Sequence, residues 1–315
     1  MNMLDTRLLQ FAHAHIAVAL LAFRLPASVF WPYFNGAALL AIGLPYILKS
    51  DLPREHGLDK ILPFGRLFFA IPLTVFAAEH FTATKAIAQI VPSWIPGHRF
   101  WVYFVGTALI AGALSMVLQR QARLAATLLG IMFSLFVVLI HVPNVVASPH
   151  NRFVWAVALR DLSFSGGAFA FAGSHSKPYL AKSLPALVHL GRFFVGIPAV
   201  LFGAEHFLHP DYVPGVPLGK LVPTWIPLRF FWAYLTGAVL LAAAACLLAN
   251  RKARLAATSL GVMIFLVVLF VYLPMLASVP WDIGNGLNFF ADTLMYCGAI
   301  LLLADALPKE AHPHS

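Results

Sequence analysis

Charged side chains are scarce in this 315-residue chain, at 10% of its residues. A water-soluble fold of that composition would have too few polar groups to cover its surface, so a soluble domain is excluded. Cysteine is nearly absent. Cys246 and Cys297 are the two, both inside apolar runs and with no Cys-x-x-Cys anywhere, which excludes a disulfide framework and thiol redox chemistry carried by this chain alone. Phosphate-cradling glycine loops, a dinucleotide fingerprint and a Gly-x-Ser-x-Gly elbow are missing, which removes nucleotide-driven work and serine hydrolysis. No His-x-x-x-His or Glu-x-x-His pair surrounds the repeated Glu-His motif described below. Adjacent residues on a helix point about 100° apart, so no metal is expected there. The net charge is +9, yet Lys and Arg are scattered through short connectors without a basic helix or stripe. That is membrane topology charge, and no nucleic-acid partner is expected.

Apolar length is abundant. Hydrophobic residues make up 61% and aromatics 13%, and mean hydropathy is +0.84. Apolar runs of about 20 residues recur between short polar connectors, the length a helix needs to cross the hydrocarbon layer. They are continuous and do not alternate, which argues against strands. The fold class is therefore all-α: a polytopic membrane protein whose first partner is the lipid bilayer, with about 9–10 spans.

One stretch occurs twice. Residues 65–81 read Gly-Arg-Leu-Phe-Phe-Ala-Ile-Pro-Leu-Thr-Val-Phe-Ala-Ala-Glu-His-Phe, and residues 191–207 repeat Arg, Pro, Glu, His and Phe at one offset. Each copy continues into a second element, Val91-Pro92-Ser93-Trp94-Ile95-Pro96 and Val222-Pro223-Thr224-Trp225-Ile226-Pro227. Beyond an insertion of about five residues near 208–220, a second offset carries Arg123 to Arg254, Pro143 to Pro274 and Asp161 to Asp292. Matching polar, Trp and Pro positions mark an internal duplication. Four helices are predicted in each copy, over 62–82, 99–118, 124–143 and 152–173, then 187–208, 229–249, 255–274 and 286–307. The domains are a partial repeat over 1–60, a first four-helix repeat over 61–180 and a second over 181–315. In the partial repeat, Trp31-Pro32-Tyr33-Phe34-Asn35-Gly36 echoes Trp101-Val102-Tyr103-Phe104-Val105-Gly106. It contributes one or two helices, a good span over 29–48 and a marginal span or interfacial helix over 4–24, where no convincing signal-peptide cleavage site appears. An even number of spans per repeat makes the repeat parallel. The connectors holding Lys49, Arg54, Lys60, Arg120, Arg123, Lys177, Lys182, Arg251, Lys252, Arg254 and Lys309 outweigh the opposite set, so they and the C-terminus are expected to be cytoplasmic, with the Trp-Ile-Pro connectors outside.

Pro72 and Pro198 interrupt the first helix of each repeat, and Glu79-His80 and Glu205-His206 follow near its outer end. His141 and Tyr272 fall near the outer ends of the third helices, and Asp161 and Asp292 lie about ten residues into the fourth. Ionisable groups at such depths face a bundle interior or a wet cavity. Two candidate polar pockets result: Glu79, His80, Trp94, His141 and Asp161 in the first repeat, and Glu205, His206, Trp225, Tyr272 and Asp292 in the second. For Trp94 and Trp225 the competing reading is an interfacial belt, and for Glu-His a set of helix-end bonds. Arg66, Arg192, Arg123 and Arg254 read as topology and headgroup anchors. Asp292, next to Ala291 where Asp161 has Arg160, needs a partner from elsewhere.

At Gly-Arg-x-Phe-Phe…Glu-His-Phe, Trp-Ile-Pro, Trp101/Trp232 and Arg-Leu-Ala-Ala, the chain resembles the DoxX-like family of bacterial membrane proteins. Arg160-Asp161…Gly166-Gly167 resembles the family's fourth helix, and the second copy departs from it at Ala291 and Cys297. The resemblance implies tandem four-helix bundles in a bacterial cytoplasmic (inner) membrane. It also implies a quinone-linked redox membrane subunit, with quinone as the candidate cofactor and a soluble redox protein as partner. A small-molecule transporter or permease and a membrane scaffold for a soluble oxidoreductase are the alternatives. The sequence assigns no catalytic residue.

Overall fold

The computed structural model describes residues 25–174, 184–216 and 221–309. The segment 4–24 and most of the linker after Gly173 lie outside the described residues. The described residues form helices and turns, with one isolated bridge, Tyr212 to Leu221. The long helices are α1 (Ala27–Tyr46), α2 (Gly65–Thr82), α3 (His98–Val117), α4 (Ala122–Phe136), α5 (Arg152–Ser174), α6 (Leu184–Leu208), α7 (Arg229–Leu248), α8 (Ala253–Val267) and α9 (Asn288–Ala306). Among the described residues, eight helices are long and apolar enough to cross a membrane. The chain is an all-α, multi-pass membrane protein. The remaining long helix, α5, carries Arg160, Asp161 and a run of serines and glycines and is buried along most of its length.

Both repeats run in order, α2 on α3, α3 on α4 and α4 on α5, then α6 on α7, α7 on α8 and α8 on α9. Neither repeat closes on itself. The broad partner of α2 is α9, that of α6 is α5, and α5 and α9 pack on each other. Within a repeat, the first and fourth helices meet through aromatic edges, Phe69 on Phe164 and Phe202 on Tyr296. The halves are thus related by a pseudo-two-fold with α5 and α9 at its centre.

Small residues make that exchange possible. A side chain at Gly167 would meet Ala299 of α9, one at Gly166 would meet Gly191 and Phe194 of α6, and one at Gly298 would strike the backbone of Phe68 and Phe69 in α2. Helix–helix contact in lipid depends on such close approach, because no water is expelled to drive it. The glycines of the fourth-helix pattern therefore hold the two halves together.

Two further features shape the ends. In α4 and α8 a π-turn, Val137–His141 and Val268–Tyr272, precedes Pro143 and Pro274 by one residue. A proline lacks the N–H for the i−4 bond, and the wider turn absorbs the mismatch. At the other end Arg254 is buried rather than a headgroup anchor. Its Nη1 donates to the carbonyls of Ala304, Asp305 and Leu307 at 3.0, 3.2 and 2.9 Å, and its Nη2 donates to Asp59 at 2.9 Å. It caps the C-terminus of α9, where the helix dipole is negative and the carbonyls are free. Among the described residues α1 has no two-fold mate: it lies along α2, with Gly36 on Ile71 and Val75 and Gly43 on Leu67 and Val117.

Candidate functional site

The Glu-His-Phe triplets end α2 and α6, where consecutive side chains fan out by about 100°. The His and Phe turn toward the second helix of the same repeat. His80 and Phe81 sit over Gly106, and Phe81 stacks on Tyr103 at 5.9 Å. His206 and Phe207 sit over Gly237, and Phe207 packs on Tyr234 at 5.6 Å. His80 Nδ1 donates to the Phe76 carbonyl at 2.8 Å and His206 Nδ1 to that of Phe202 at 2.5 Å. The recurrence of His, Phe, Tyr and Gly thus has a packing cause in both copies.

The glutamates turn the other way, toward the opposite repeat. Glu205 accepts from Arg152 Nε at the start of α5, at 2.8 Å, and that guanidinium lies over the Tyr212 ring at 3.9 Å. Among the described residues Glu79 accepts only from Asn288 Nδ2, at the start of α9, at 3.3 Å. Glu79 Oε1 and Asn288 Oδ1 are both buried and take no partner.

Deeper in the interface lies a four-residue ionic cluster. His141 Nε2 is 2.8 Å from Asp161 Oδ2. Arg160 Nε donates to Asp161 Oδ1 at 3.0 Å and Nη1 to Asp292 Oδ2 at 2.6 Å. The partner Asp292 requires is therefore Arg160 of the other repeat, so one guanidinium holds both aspartates across the pseudo-two-fold. Arg160 also lies over the Phe164 ring at 5.6 Å. A buried ion cluster is tolerated only when its members satisfy one another, and removing one strands the rest.

The sequence-derived pockets are thus partly regrouped. His141 and Asp161 meet, and Asp292 joins them from the second repeat. Trp94 and Trp225 stand apart in their connectors, 69% and 55% exposed. The neighbouring indoles clip those connectors instead, Trp101 Nε1 to Pro96 O and Trp232 Nε1 to Pro227 O, each at 3.1 Å. Tyr272 does not repeat the role of His141, since its hydroxyl donates to Pro214 O at 3.0 Å. Sequence reasoning missed Arg152 and Asn288 as partners of the glutamates, and no periodicity marks them. Arg160 carried a signal, being a lone arginine deep in an apolar helix.

Tyr272 points to the difference between the copies. The inserted stretch after α6 folds inward, and Val213 and Val216 are fully buried. Gly215 N–H donates to His206 Nε2 at 3.0 Å. Since the Phe202 carbonyl and this N–H fix the roles of both ring nitrogens, His206 is the neutral Nδ1–H tautomer. Gly215 has φ of 104°, which other residues rarely adopt, and lies against Ile264, Val267 and Thr293. The first repeat is shorter here by the inserted residues. By the repeat offsets the counterparts of His206, Ile264, Val267, Tyr272 and Thr293 are His80, Phe133, Phe136, His141 and Leu162, and Phe133 is itself buried against Phe69, Phe136 and Phe164. His80 and His141 are only half-buried where His206 and Tyr272 are 2% and 1% exposed. Among the described residues His80 Nε2 and His141 Nδ1 take no partner. The second repeat buries its histidine and tyrosine under the inserted loop, while the first leaves His80 and His141 partly exposed, His141 beside the ionic cluster.

Residues 69–160, from α2 into α5, match the model of a domain of unknown function, DUF8561. No curated protein and no solved structure matches the chain. The matched stretch contains Glu79, His80, His141 and Arg160 and ends one residue before Asp161. Among the described residues no group of three His, Cys, Asp or Glu side chains is placed to hold a metal ion. Cys297 is buried, its thiol 3.3 Å from the Gly261 carbonyl, and Cys246 is half-buried on another helix.

Proposed function

We propose that the chain is a quinone-linked redox membrane subunit of the DoxX-like kind, with one working site in its first repeat. The observation that carries this reading is that His80 and His141 are only half-buried, each with one ring nitrogen unpartnered among the described residues, and that His141 pairs with Asp161. Phe136 on α4 and Leu162 on α5, both half-buried, would give a ring apolar contact, and the free nitrogens of His80 and His141 its polar contacts. With Nε2 committed to Asp161, His141 keeps Nδ1 as an acceptor for a quinol hydroxyl. Asp161 and Arg160 hold the ring in place, as an orienting carboxylate does for a general base. Two electrons and two protons leave a quinol to give the quinone, and the protonated imidazole is the form that returns a proton in the reverse direction. The electrons pass to or from a soluble oxidoreductase, the partner expected for such a subunit. The second repeat does not take part, because the inserted loop bonds and buries His206 and Tyr272.

The test is direct. Protein purified repeatedly from native membranes should retain about one quinone per chain. Added quinone analogue should alter its tryptophan fluorescence, and His141→Phe should abolish both effects while leaving the purified protein folded. Preparations without quinone whose fluorescence no analogue alters would sink the idea. The transport alternative fits less well, since the plane between the halves where a path would run is filled by the Arg160 cluster and the Gly167–Ala299 contact.

A further inference from the structure

α1 covers one face of α2, and the pseudo-two-fold shows what that face looks like uncovered. On α2 the covered residues are Leu67, Ile71, Thr74 and Val75, with Asn35 of α1 also donating to the Thr74 carbonyl at 3.4 Å. Leu67, Thr74 and Val75 are 0%, 5% and 3% exposed. Their mates on α6 are Phe193, Ile197, Val200 and Leu201, and every one is exposed, at 42%, 44%, 36% and 41%. Exposure of apolar groups is ordinary in a membrane protein, so that stripe alone identifies nothing.

A charge gives the second, independent observation. Beneath α1, Arg66 is neutralised by Asp51, which lies just past the end of α1, and its guanidinium lies 5.1 Å from the Tyr46 ring. Its mate Arg192 is 94% buried at the same end of α6, where Nε and Nη1 have no partner. No carboxylate reaches it among the described residues, and residues 175–183 that precede α6 contain no Asp or Glu. A buried cation without an anion is costly, and a carboxylate at this spot removes the cost.

We infer that the Phe193–Ile197–Leu201 face of α6 is the docking site for a membrane-spanning helix of a partner protein, one that carries a carboxylate near the end that meets Arg192. α1 supplies the pattern of that helix: glycines at 36 and 43 facing the groove, and an acid eight residues after the second (51 − 43 = 8). The small residues allow the close approach that helix association in lipid requires, and the acid sets depth and register. This inference is independent of the quinone reading, because its readout does not involve His80 or His141.

A synthetic peptide of residues 25–56 serves as the probe, added to the full-length protein in phosphatidylcholine bilayers. A photo-reactive residue replaces Ile197, with a control at Leu128 on the lipid-facing side of α4. The wild-type peptide should give an adduct at position 197 at least tenfold above the control. Peptide carrying Asp51→Asn, or protein carrying Arg192→Gln, should lower it at least fivefold, and the peptide change cannot act by unfolding the protein. Adding phosphatidylglycerol should leave the adduct in place. Four outcomes overturn the inference: no adduct above the control, an adduct indifferent to both substitutions, an adduct displaced by the anionic lipid, or adducts only between two full-length chains.

Discussion

At the scale of single residues, the two glutamates of the repeated motif are not equivalent. Glu205 forms a charge-assisted bond with Arg152, whereas Glu79 has only an amide, and Glu79 Oε1 and Asn288 Oδ1 are buried with no hydrogen-bond partner among the described residues. A glutamine at 79 keeps an acceptor for Asn288 Nδ2 and removes a buried carboxylate that has no cation beside it among the described residues. Glu79→Gln should therefore keep or raise thermal stability, while Glu205→Gln should cost about 1 kcal/mol, the size expected of a partly exposed ion pair. Thermal unfolding in detergent checks both, and equal losses would contradict the asymmetry. Arg160 is the most exacting position. Arg160→Gln strands two buried carboxylates and should cost about 3–5 kcal/mol, well above the loss for Asp292→Asn, which leaves Arg160 its bond to Asp161.

At the scale of elements, the fourth helices do the joining. Gly167 and Gly298 are offset by one repeat length, yet one meets α9 and the other α2, because each fourth helix is wedged between its mate and the first helix of the other half. Gly298→Leu should overpack that crossing and cost about 3 kcal/mol, while Ala277→Leu on the exposed outer turn after α8 should cost little. Detergent thermal shifts and yields of folded protein would measure the contrast. The π-turns act at the same scale. They place position 141 or 272 on the inner side of its helix in both repeats, and the residue there then decides the outcome: histidine reaches Asp161, whereas tyrosine fastens the inserted loop at Pro214.

At the scale of the molecule, the exchange of partners means that neither half contains its own closure. Expressed alone, residues 1–180 or 181–315 should be degraded or aggregate. Expressed together, the two should assemble, because α2–α9, α5–α6 and α5–α9 are all contacts between them. Independent folding of either half would show that the exchange is dispensable. Topology is a separate prediction drawn from the Lys and Arg distribution. Alkaline phosphatase fused after Lys309 should be inactive, and fused in the Trp94 connector it should be active.

Several features were legible in the chain itself. Apolar length and scarce charge dictate membrane-spanning helices, since only helices and closed barrels satisfy the backbone in hydrocarbon and these runs do not alternate as barrel strands do. The offsets between Arg66 and Arg192 and between Asp161 and Asp292 reveal the duplication, because identical polar positions do not recur by chance in segments that need only be greasy. Partnership was another matter. A repeat read from sequence has the same form whether its four helices close on themselves or on a neighbour, and only the backbone approach at Gly166, Gly167 and Gly298 decides between them. The sequence likewise placed Asp292 in the membrane without a partner, and the partner proved to be Arg160, 132 residues away along the chain. The insertion after α6 was visible as extra length, but that it turns inward onto His206 and Tyr272 depends on a glycine φ and two hydrogen bonds. Local chemistry and period are written along the chain, whereas the choice among equally apolar faces is made by shape, and shape exists only once the helices have packed.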